Sequence, residues 1–312
     1  MPREADPMSR AAVVVNPTKV GDPGQFLETV HQAMAEHGWD EPLWLETTSD
    51  DPGQGQARSA VAAGADLVLA CGGDGTVTAC AEGVADSGVP LGILPLGTGN
   101  LLARNVGLPA DLDGALAVAL GDGEQKLDTG TANGQAFVVM AGLGLDARML
   151  SDTSEPLKKR LGWAAYALSV LRHLNDRPIR LTLAADQERP VRLRASTVII
   201  GNVGWLRGGV PLLPDARPDD GLLDAVVLTA RGWPAWAVLA ARVVLRREPS
   251  DRVRRYQFRE LRLRLSRPQP WELDGEVMAA ASELVVTARP GRLRLRMDTG
   301  ATSARPGGRA WR

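Results

Sequence analysis

The stretch that decides the fold is Leu67-Val68-Leu69-Ala70-Cys71-Gly72-Gly73-Asp74-Gly75-Thr76, an apolar run that ends in closely spaced glycines. A continuous apolar run bounded by a turn is typical of a strand buried on both faces. Helical spacing follows through residue 85, so the glycines lie between a strand and a helix. We interpret Gly72, Gly73, Gly75 and Thr76 as a phosphate-binding loop, because glycines admit a ligand close to the backbone and a helix start offers free N–H groups.

Asp74 is unexpected in such a loop, because a carboxylate repels phosphate. Its use would be to hold Mg²⁺, directly or through water, or to orient a nucleotide. The competing interpretation is a tight strand–helix turn with an aspartate cap. The density of glycines favours the binding site.

A second loop, Pro95-Leu96-Gly97-Thr98-Gly99-Asn100, follows the next predicted strand. Adjacent parallel strands deliver their loops to one sheet edge, so the two loops would form one crevice, in which Thr98 can donate to a phosphate oxygen. Asn16-Pro17-Thr18 and Thr47-Thr48 end the first two strands and would line the same crevice. Taken alone, either of these short motifs is a turn.

Working outward, strands and helices alternate over residues 1–125, which predicts an α/β domain with a parallel sheet and helices on both faces. The predicted strands are 12–15, 43–45, 67–70 and 91–94. The predicted helices are 25–37, 56–63, the helix after Asp74 and one starting at Leu101.

From Lys126 the pattern changes to strands that alternate apolar and polar residues, as in Leu261-Arg262-Leu263-Arg264-Leu265. Such alternation predicts a mostly antiparallel β-sandwich over residues 126–298, whose last strand is able to return to the first domain. The predicted strands are 136–141, 179–183, 196–200, 223–228, 261–265, 284–287 and 293–297. Two helices, 161–174 and 234–247, interrupt them, and the Gly/Arg/Ser-rich residues 299–312 are expected to be disordered.

Composition narrows the class of protein. The chain has 312 residues and 44% apolar content, which suits two folded domains. No apolar run reaches the roughly 20 residues that span a bilayer, and the polar start lacks a secretory signal, so we expect a cytoplasmic protein. Cys71 and Cys80 have no metal-ligand spacing and are interpreted as small core residues.

Charge is distributed unevenly along the chain. Residues 231–312 carry 18 arginines against 8 acidic residues, whereas the remainder carries 18 basic and 29 acidic residues. A basic C-terminal part suits an anionic partner such as membrane lipid or nucleotide phosphate. The alternative is a codon preference, because only four of the 36 basic residues are lysine. We expect no nucleic-acid partner.

The order of these motifs resembles the diacylglycerol kinase catalytic-domain family, which includes sphingosine, ceramide and bacterial lipid kinases. No Walker P-loop and no dinucleotide fingerprint are present. Motifs of the second half extend the resemblance to nearly the whole chain: Asp128, Asn202, Gly208-Gly209, Pro214-Asp215-Ala216, Asp219-Asp220-Gly221-Leu222-Leu223-Asp224 and Leu273-Asp274-Gly275-Glu276.

The resemblance implies ATP and Mg²⁺ as cofactors and a cleft between the two domains. It implies ATP contacts at residues 16–20, Thr47, residues 73–79 and Thr98. It also implies Glu276 as the proton acceptor, with Asp274 beside it. The implied Mg²⁺ ligands are Asp220 and the backbone carbonyls of Arg217 and Leu222, oxygen ligands of the kind a hard cation takes. Leu101 departs from the family pattern, which often has Asp there.

We therefore predict an ATP-dependent lipid kinase, most simply one that converts diacylglycerol to phosphatidic acid. The alternatives are an NAD kinase-like phosphotransferase and a catalytically inactive nucleotide- or lipid-binding relative. The expected partner is a membrane lipid met through transient contact with the bilayer surface, and a homodimer remains open. The helix that begins near Trp233 and turns basic at Arg242, and a similar one at 163–174, are candidate footholds. The alternative is that they pack on the sandwich.

Overall fold

A computed structural model describes residues 9–144, 178–205, 212–230, 232–244 and 252–298, with the side chains of 239–244 left aside. The chain divides into two compact units. Unit 1 comprises Met1–Leu127 and Gly291–Arg312, and unit 2 comprises Asp128–Pro290. Among the described helices, none is long and apolar enough to cross a membrane.

Unit 1 contains parallel strands in the order β4–β3–β1–β2, and the end of the last strand of the chain pairs with β4 through Leu295 and Leu91. This confirms the predicted α/β fold. The elements are β1 (Ala11–Val15), α1 (Pro23–Glu36), β2 (Leu43–Glu46), α2 (Gln54–Ala62), β3 (Leu67–Gly72), α3 (Asp74–Val84), β4 (Leu91–Pro95), α4 (Leu101–Asn105) and α5 (Leu112–Leu120), and Pro17–Lys19 form a 3₁₀ turn.

The unit 1 sheet is apolar on both faces. All residues of β1, β3 and β4 are buried, as expected for strands covered by helices. Helix α1 starts where the Asp22 carboxylate accepts the Gln25 N–H, and it packs Phe26, Val30 and Met34 against the sheet. Asp111 caps α5 in the same way. The loops that follow the strands are thus attached to a rigid core.

Unit 2 is built from antiparallel strands, which confirms the predicted second fold class. Its elements are β5 (Glu124–Ala132, starting in unit 1), β6 (Gln135–Phe137), β7 (Met140–Gly144), β8 (Ile179–Ala185), β9 (Val191–Ala195), β10 (Thr197–Gly201), β11 (Leu223–Leu228), α6 (Gly232–Val244), β12 (Val253–Phe258), β13 (Glu260–Leu273) and β14 (Glu276–Arg296, ending in unit 1). The pairings run β7–β10–β11–β12 and β9–β8–β13–β14, and β13 also pairs β7.

The core of unit 2 is formed by the buried side chains of these strands. β8 alternates strictly, with Ile179, Leu181 and Leu183 in the core and Arg180 exposed. On the other side of β10 and β11, Ile199, Leu213, Val226 and Leu228 form a second cluster, against which Trp236 of α6 packs. Alternation therefore places one set of side chains inside and leaves the other in water.

The structure corrects several sequence predictions. Residues 136–141 form two strands, because the backbone N–H groups of Val138 and Val139 donate to a carboxylate instead of a neighbouring strand. The predicted strands 284–287 and 293–297 are parts of the single strand β14. Four elements have no sequence prediction: α5, β5, β9 and β12. The predicted helix 161–174 and the tail 299–312 lie outside the described residues, and helix 234–247 is described only as far as Val244.

Candidate functional site

The two glycine loops of unit 1, defined as residues 72–76 and 96–100, are in direct contact. The Leu96 N–H donates to the Gly72 carbonyl at 2.9 Å. A Cβ atom on Gly97 would lie 2.5 Å from the Gly73 Cα atom. Only glycine allows this approach, so the loops after β3 and β4 form one continuous surface, as predicted for adjacent parallel strands.

Asp74 joins the two loops through its carboxylate. Oδ2 accepts the Asn100 N–H at 3.1 Å and Oδ1 accepts the Leu101 N–H. Helix α4 begins at Leu101, and the Asn100 side chain makes no capping hydrogen bond to it. Asp74 lies on α3 and therefore caps α4, the helix of the neighbouring loop. Its role toward Mg²⁺ or the nucleotide stays a prediction.

Asn100 holds the second loop in shape. It is buried, and its backbone adopts the left-handed helical conformation with φ of 49°. Its Oδ1 accepts the Gly97 N–H at 3.0 Å, and its Nδ2 donates to the carbonyls of Pro95 and Gly97 at 3.0 and 2.8 Å. The amide is thus fully used inside the loop, and Thr98 is left exposed at the loop tip. Thr98 is the residue of this loop that is free to meet a ligand.

The start of α3 is a candidate anion site. Gly73 is its N-cap residue and provides no side-chain cap. N–H groups of the first helical turn have no partner within the helix, so they can bind phosphate oxygens. Gly75 is exposed there, whereas Thr76 is buried against Gly72, where a Cβ atom would lie 2.6 Å from the Thr76 side chain.

The other predicted nucleotide residues lie at the same edge of the unit 1 sheet. The Asn16 N–H donates to the Cys71 carbonyl at the end of β3, and the Thr47 N–H donates to the Val15 carbonyl. Asn16 Oδ1 accepts both the Thr18 N–H and the Thr18 hydroxyl, which folds the turn through Pro17. The structure therefore places Asn16 at the end of β3, from which the first glycine loop continues, and Thr47 one strand further along the same edge, beside the end of β1.

In unit 2, the predicted catalytic residues lie in a tight hairpin turn, here named the acidic turn and defined as residues 272–276. Leu273 pairs with Glu276, and the two residues between them, Asp274 and Gly275, have φ of 44° and 92°. Positive φ at both positions is typical of a type I′ turn, which Asp-Gly favours. This geometry joins β13 to β14 without a longer loop.

Asp274 is anchored to the segment between β6 and β7. Its Oδ2 accepts the Val138 N–H at 2.9 Å, and its Oδ1 accepts the N–H groups of Val139 and Met140 at 3.0 and 2.8 Å. The Asp274 N–H donates back to the Met140 carbonyl at 2.9 Å. Both carboxylate oxygens therefore hold backbone, and the predicted catalytic role of Asp274 stays a prediction.

Glu272 anchors the turn from its other side, and it has no counterpart among the sequence predictions. It is 1% exposed, and its Oε2 accepts the Gly275 N–H at 2.9 Å. The sequence feature that could have identified Glu272 is a carboxylate within an apolar run, two residues before Asp274-Gly275. Between these two anchors, Glu276 starts β14 with its side chain exposed, so it is the carboxylate of the turn that can meet a substrate hydroxyl.

The predicted Mg²⁺ residues lie in the loop before β11. Asp128 is buried, its N–H donates to the Pro218 carbonyl, and its carboxylate accepts the Gly221 N–H, both at 2.6 Å. Asp220 is exposed and accepts the Leu222 N–H at 3.0 Å. Asp128 thus fixes the shape of a loop on which Asp220 is exposed, together with Asp215 and Asp219.

These donors fit a hard cation, which takes oxygen ligands and retains waters. Nearby, burial and the charges of Asp220 and Asp215 raise the pKa of Asp224 to about 6, so negative charge accumulates at this loop. Among the described residues, no group of three acidic, histidine or cysteine side chains could hold a metal. Carbonyls such as those of Arg217 and Leu222 would have to complete the site, and its occupation by Mg²⁺ stays a prediction.

Known sequences match both halves of the chain. The diacylglycerol kinase catalytic domain matches residues 10–132, and the YegS C-terminal NAD kinase beta sandwich-like domain matches residues 137–297. A protein of Chromohalobacter salexigens named "probable lipid kinase YegS-like" is 38% identical over 178 residues, covering 55% of this chain and 57% of that relative. A relative with the same name from Pseudomonas fluorescens is 34% identical over 275 residues, covering 85% and 88% of the two chains.

Solved structures share the fold. A diacylglycerol kinase from Bacillus anthracis str. Sterne superposes with a TM-score of 0.77 at 20% identity, over 96% of this chain and 100% of that chain. An NAD kinase from Archaeoglobus fulgidus, solved in complex with ATP, superposes with a TM-score of 0.51 at 14% identity, over 93% and 94% of the two chains. At these sequence identities the superpositions show a shared fold and nothing beyond the fold.

Proposed function

Because this chain belongs to the lipid kinase family that carries the diacylglycerol kinase catalytic domain, we propose that it transfers the γ-phosphoryl group of ATP to the primary hydroxyl of diacylglycerol. The products are phosphatidic acid and ADP. The observation that carries the proposal is the contact between the glycine loops, where Asp74 ties the start of α4 to the start of α3. A sheet edge with two such loops is a typical nucleotide site.

ATP would bind with its phosphates at the start of α3. The uncapped N–H groups there, the exposed Thr98 hydroxyl and the side-chain NH₂ of Asn16 would supply the hydrogen-bond donors. Thr18 would orient that NH₂, because both of its own donors are bonded to Asn16 Oδ1. Fixed donors stabilise the charge that spreads over the transferred phosphoryl group. When bound at Asp220 and the carbonyls of Arg217 and Leu222, Mg²⁺ would neutralise phosphate charge.

Glu276 would accept the proton of the lipid hydroxyl. As the new O–P bond forms and the bond to the ADP oxygen breaks, the hydroxyl proton passes to the Glu276 carboxylate. General-base assistance of this kind contributes roughly 10²–10⁴-fold to rate. Asp274 and Glu272 support the proposal, because they fix the turn while Glu276 remains exposed. Asp274 is thereby proposed as a positioning residue.

Transfer of labelled phosphate tests this function. The protein is incubated with γ-labelled ATP and Mg²⁺ in mixed micelles containing diacylglycerol, monoacylglycerol, sphingosine or ceramide, and separately with NAD. The NAD arm is included because the fold is shared with an NAD kinase. We expect labelled phosphatidic acid as the main product. Labelling of NAD or of a different lipid, with none in diacylglycerol, would overturn the proposal.

A further inference from the structure

Arginines gather on the outer face of strands β9, β8 and β13. In the strand register Thr182 of β8 lies between Arg192 of β9 and Arg264 of β13. One step along the strands, Arg180 lies directly opposite Arg194. These side chains share one face, because residues two apart along a strand point the same way. We name this set of four arginines around Thr182 the arginine groove.

The arginines line an open surface hollow of about 420 Å³. Its lining includes the short side chain of Thr182, with long arginine side chains on either side. Apolar residues of the same strands, such as Leu181 and Leu193, point into the core and leave only backbone toward this side. The hollow is therefore wide enough for a headgroup and is bordered by guanidinium groups, which bind phosphate through planar pairs of N–H donors.

The groove carries uncompensated positive charge. Arg264 pairs with Glu283 at 3.1 Å and remains 66% exposed. Arg180, Arg192 and Arg194 are exposed and make no ion pair with any residue in the described part of the chain. Like charges directly opposite each other destabilise a sheet. The placement of Arg180 opposite Arg194 is thus unfavourable for the isolated fold and becomes favourable beside an anion.

Two simpler explanations account for only part of this arrangement. Charged residues on an edge strand prevent sheets from pairing, which could explain Arg192 and Arg194 on β9. That explanation does not reach Arg180 or Arg264, which lie on interior strands with partners on both sides. A codon preference for arginine over lysine determines which basic residue is used, but not why four converge on one hollow.

We infer that the arginine groove binds the phosphate headgroups of an anionic bilayer and so holds the protein at the membrane surface. The inference rests on the proposed function only for the choice of partner, because an enzyme that phosphorylates a bilayer lipid has to remain at that surface to find it. A nucleic acid offers the same phosphate chemistry, and the experiment below separates the two.

The test measures binding to vesicles without ATP. Wild-type protein is sedimented with phosphatidylcholine vesicles that contain 0 or 30% phosphatidylglycerol, at low and high salt. We expect binding only to the anionic vesicles, with loss at high salt. Each arginine near an anionic surface strengthens binding roughly fivefold. The triple variant Arg180→Gln, Arg192→Gln, Arg194→Gln should therefore bind on the order of 100-fold more weakly.

A charge-matched control separates the groove from overall charge. The variant Arg58→Gln, Arg254→Gln, Arg289→Gln removes the same charge from exposed positions elsewhere and should weaken binding less than about threefold. Equal losses in the two triple variants would overturn the inference. So would equal binding to neutral vesicles, or groove-dependent binding to a DNA duplex with none to anionic vesicles.

Folding and catalysis are monitored separately. The groove variant removes like-charge repulsion, so its melting temperature should equal or exceed that of the wild type. If it does not fold, Arg192→Gln alone carries the test with an expected loss of roughly fivefold. Phosphorylation of diacylglycerol in neutral micelles should be unchanged in the groove variant. Absence of that activity in the wild type would refute the kinase proposal and leave the vesicle result standing.

Discussion

The glycine loops of unit 1 and the acidic turn of unit 2 use an aspartate in the same way. Asp74 accepts two backbone N–H groups from the start of α4, and Asp274 accepts three from residues 138–140, which lead into β7. The difference lies in what each aspartate leaves exposed. The first leaves N–H groups and a hydroxyl, which suit phosphate. The second leaves the Glu276 carboxylate, which suits a proton. An aspartate in a conspicuous motif can thus hold the backbone in place while its neighbours stay exposed for the proposed chemistry.

The largest effect on stability is expected from Asp274→Asn. Asparagine tolerates the positive φ of this position, so the substitution tests the carboxylate alone. The NH₂ group of asparagine would face the N–H donors of Val138 to Met140 and cannot accept hydrogen bonds from them. We therefore expect the free energy of unfolding of unit 2, measured in urea, to fall by about 2–3 kcal/mol.

Asp186→Asn is the matched control. Asp186 also has positive φ, at 48°, and its carboxylate accepts the N–H groups of Arg259 and Glu260 at 2.9 and 2.8 Å. Because it lies in an exposed turn away from the acidic turn, we expect a loss of about 1 kcal/mol and unchanged turnover. Equal losses at both positions, with turnover intact in both, would contradict the positioning role of Asp274.

The loop contact in unit 1 is tested by Gly97→Ala. The new Cβ atom would lie 2.5 Å from the Gly73 Cα atom and 2.8 Å from Asn100 Oδ1. The loops must separate, and we expect a loss of about 1–3 kcal/mol with a roughly tenfold rise in the KM for ATP. Gly75→Ala meets nothing within 4 Å, so it should keep the wild-type melting temperature. Wild-type stability in Gly97→Ala would show that the contact is not needed.

A smaller effect is expected from Asp74→Asn, which weakens the cap of α4. We expect a loss of about 1 kcal/mol together with a roughly fivefold rise in the KM for ATP. Asp111→Ala removes the N-cap of α5, in which the carboxylate accepts the Gly114 N–H at 2.8 Å. It should lose similar stability without any change in KM. A parallel change in KM for both variants would mean that Asp74 acts only through general stability.

The smallest effect concerns pH. Burial, reinforced by Asp220 and Asp215, raises the pKa of Asp224 from 3.8 to about 6. The folded state therefore binds more protons than the unfolded state between these values, and this group's contribution to stability falls as pH rises through that window. Asp224→Asn removes the charge and should stabilise the protein by about 1 kcal/mol at pH 7.5, after allowance for screening by water.

Thermal unfolding in EDTA at pH 4.0, 6.0 and 7.5 checks the Asp224 prediction. The difference between the melting temperatures of variant and wild type should shrink as the pH falls from about 6 to 4. Other carboxylates titrate in both proteins and cancel in this difference. A benefit that is constant over the whole range would show that charge on Asp224 is not the cause.

The architecture was largely predictable from sequence, because its signals are local. Continuous apolar runs such as residues 67–71 indicate buried parallel strands, and alternation such as Leu261 to Leu265 indicates one wet face. The prediction did worst at residues 136–141. Their apolar composition favours one strand, whereas a carboxylate more than 130 positions away takes the N–H groups that a continuous strand would need.

The candidate site was predictable as a set of residues, but not as a set of hydrogen bonds. Strand ends and glycines identified which segments meet at the edge of the unit 1 sheet. The partners of Asp74 are 26 and 27 residues away, and those of Asp274 are 134 to 136 residues away. No sequence pattern links such distant pairs, so the capping of α4 and the anchoring of the acidic turn became visible only in the fold.

The proposed division between Glu276 as the base and Asp274 as the anchor is tested most directly by Glu276→Gln. Its kcat with diacylglycerol and its binding of Mg–ATP, measured by calorimetry, are compared with those of the wild type. Glu276 is exposed and starts a strand, so we expect an unchanged melting temperature, nearly unchanged ATP affinity and a fall in kcat of about 10³-fold. A Glu276→Gln protein that phosphorylates diacylglycerol at the wild-type rate would contradict the account.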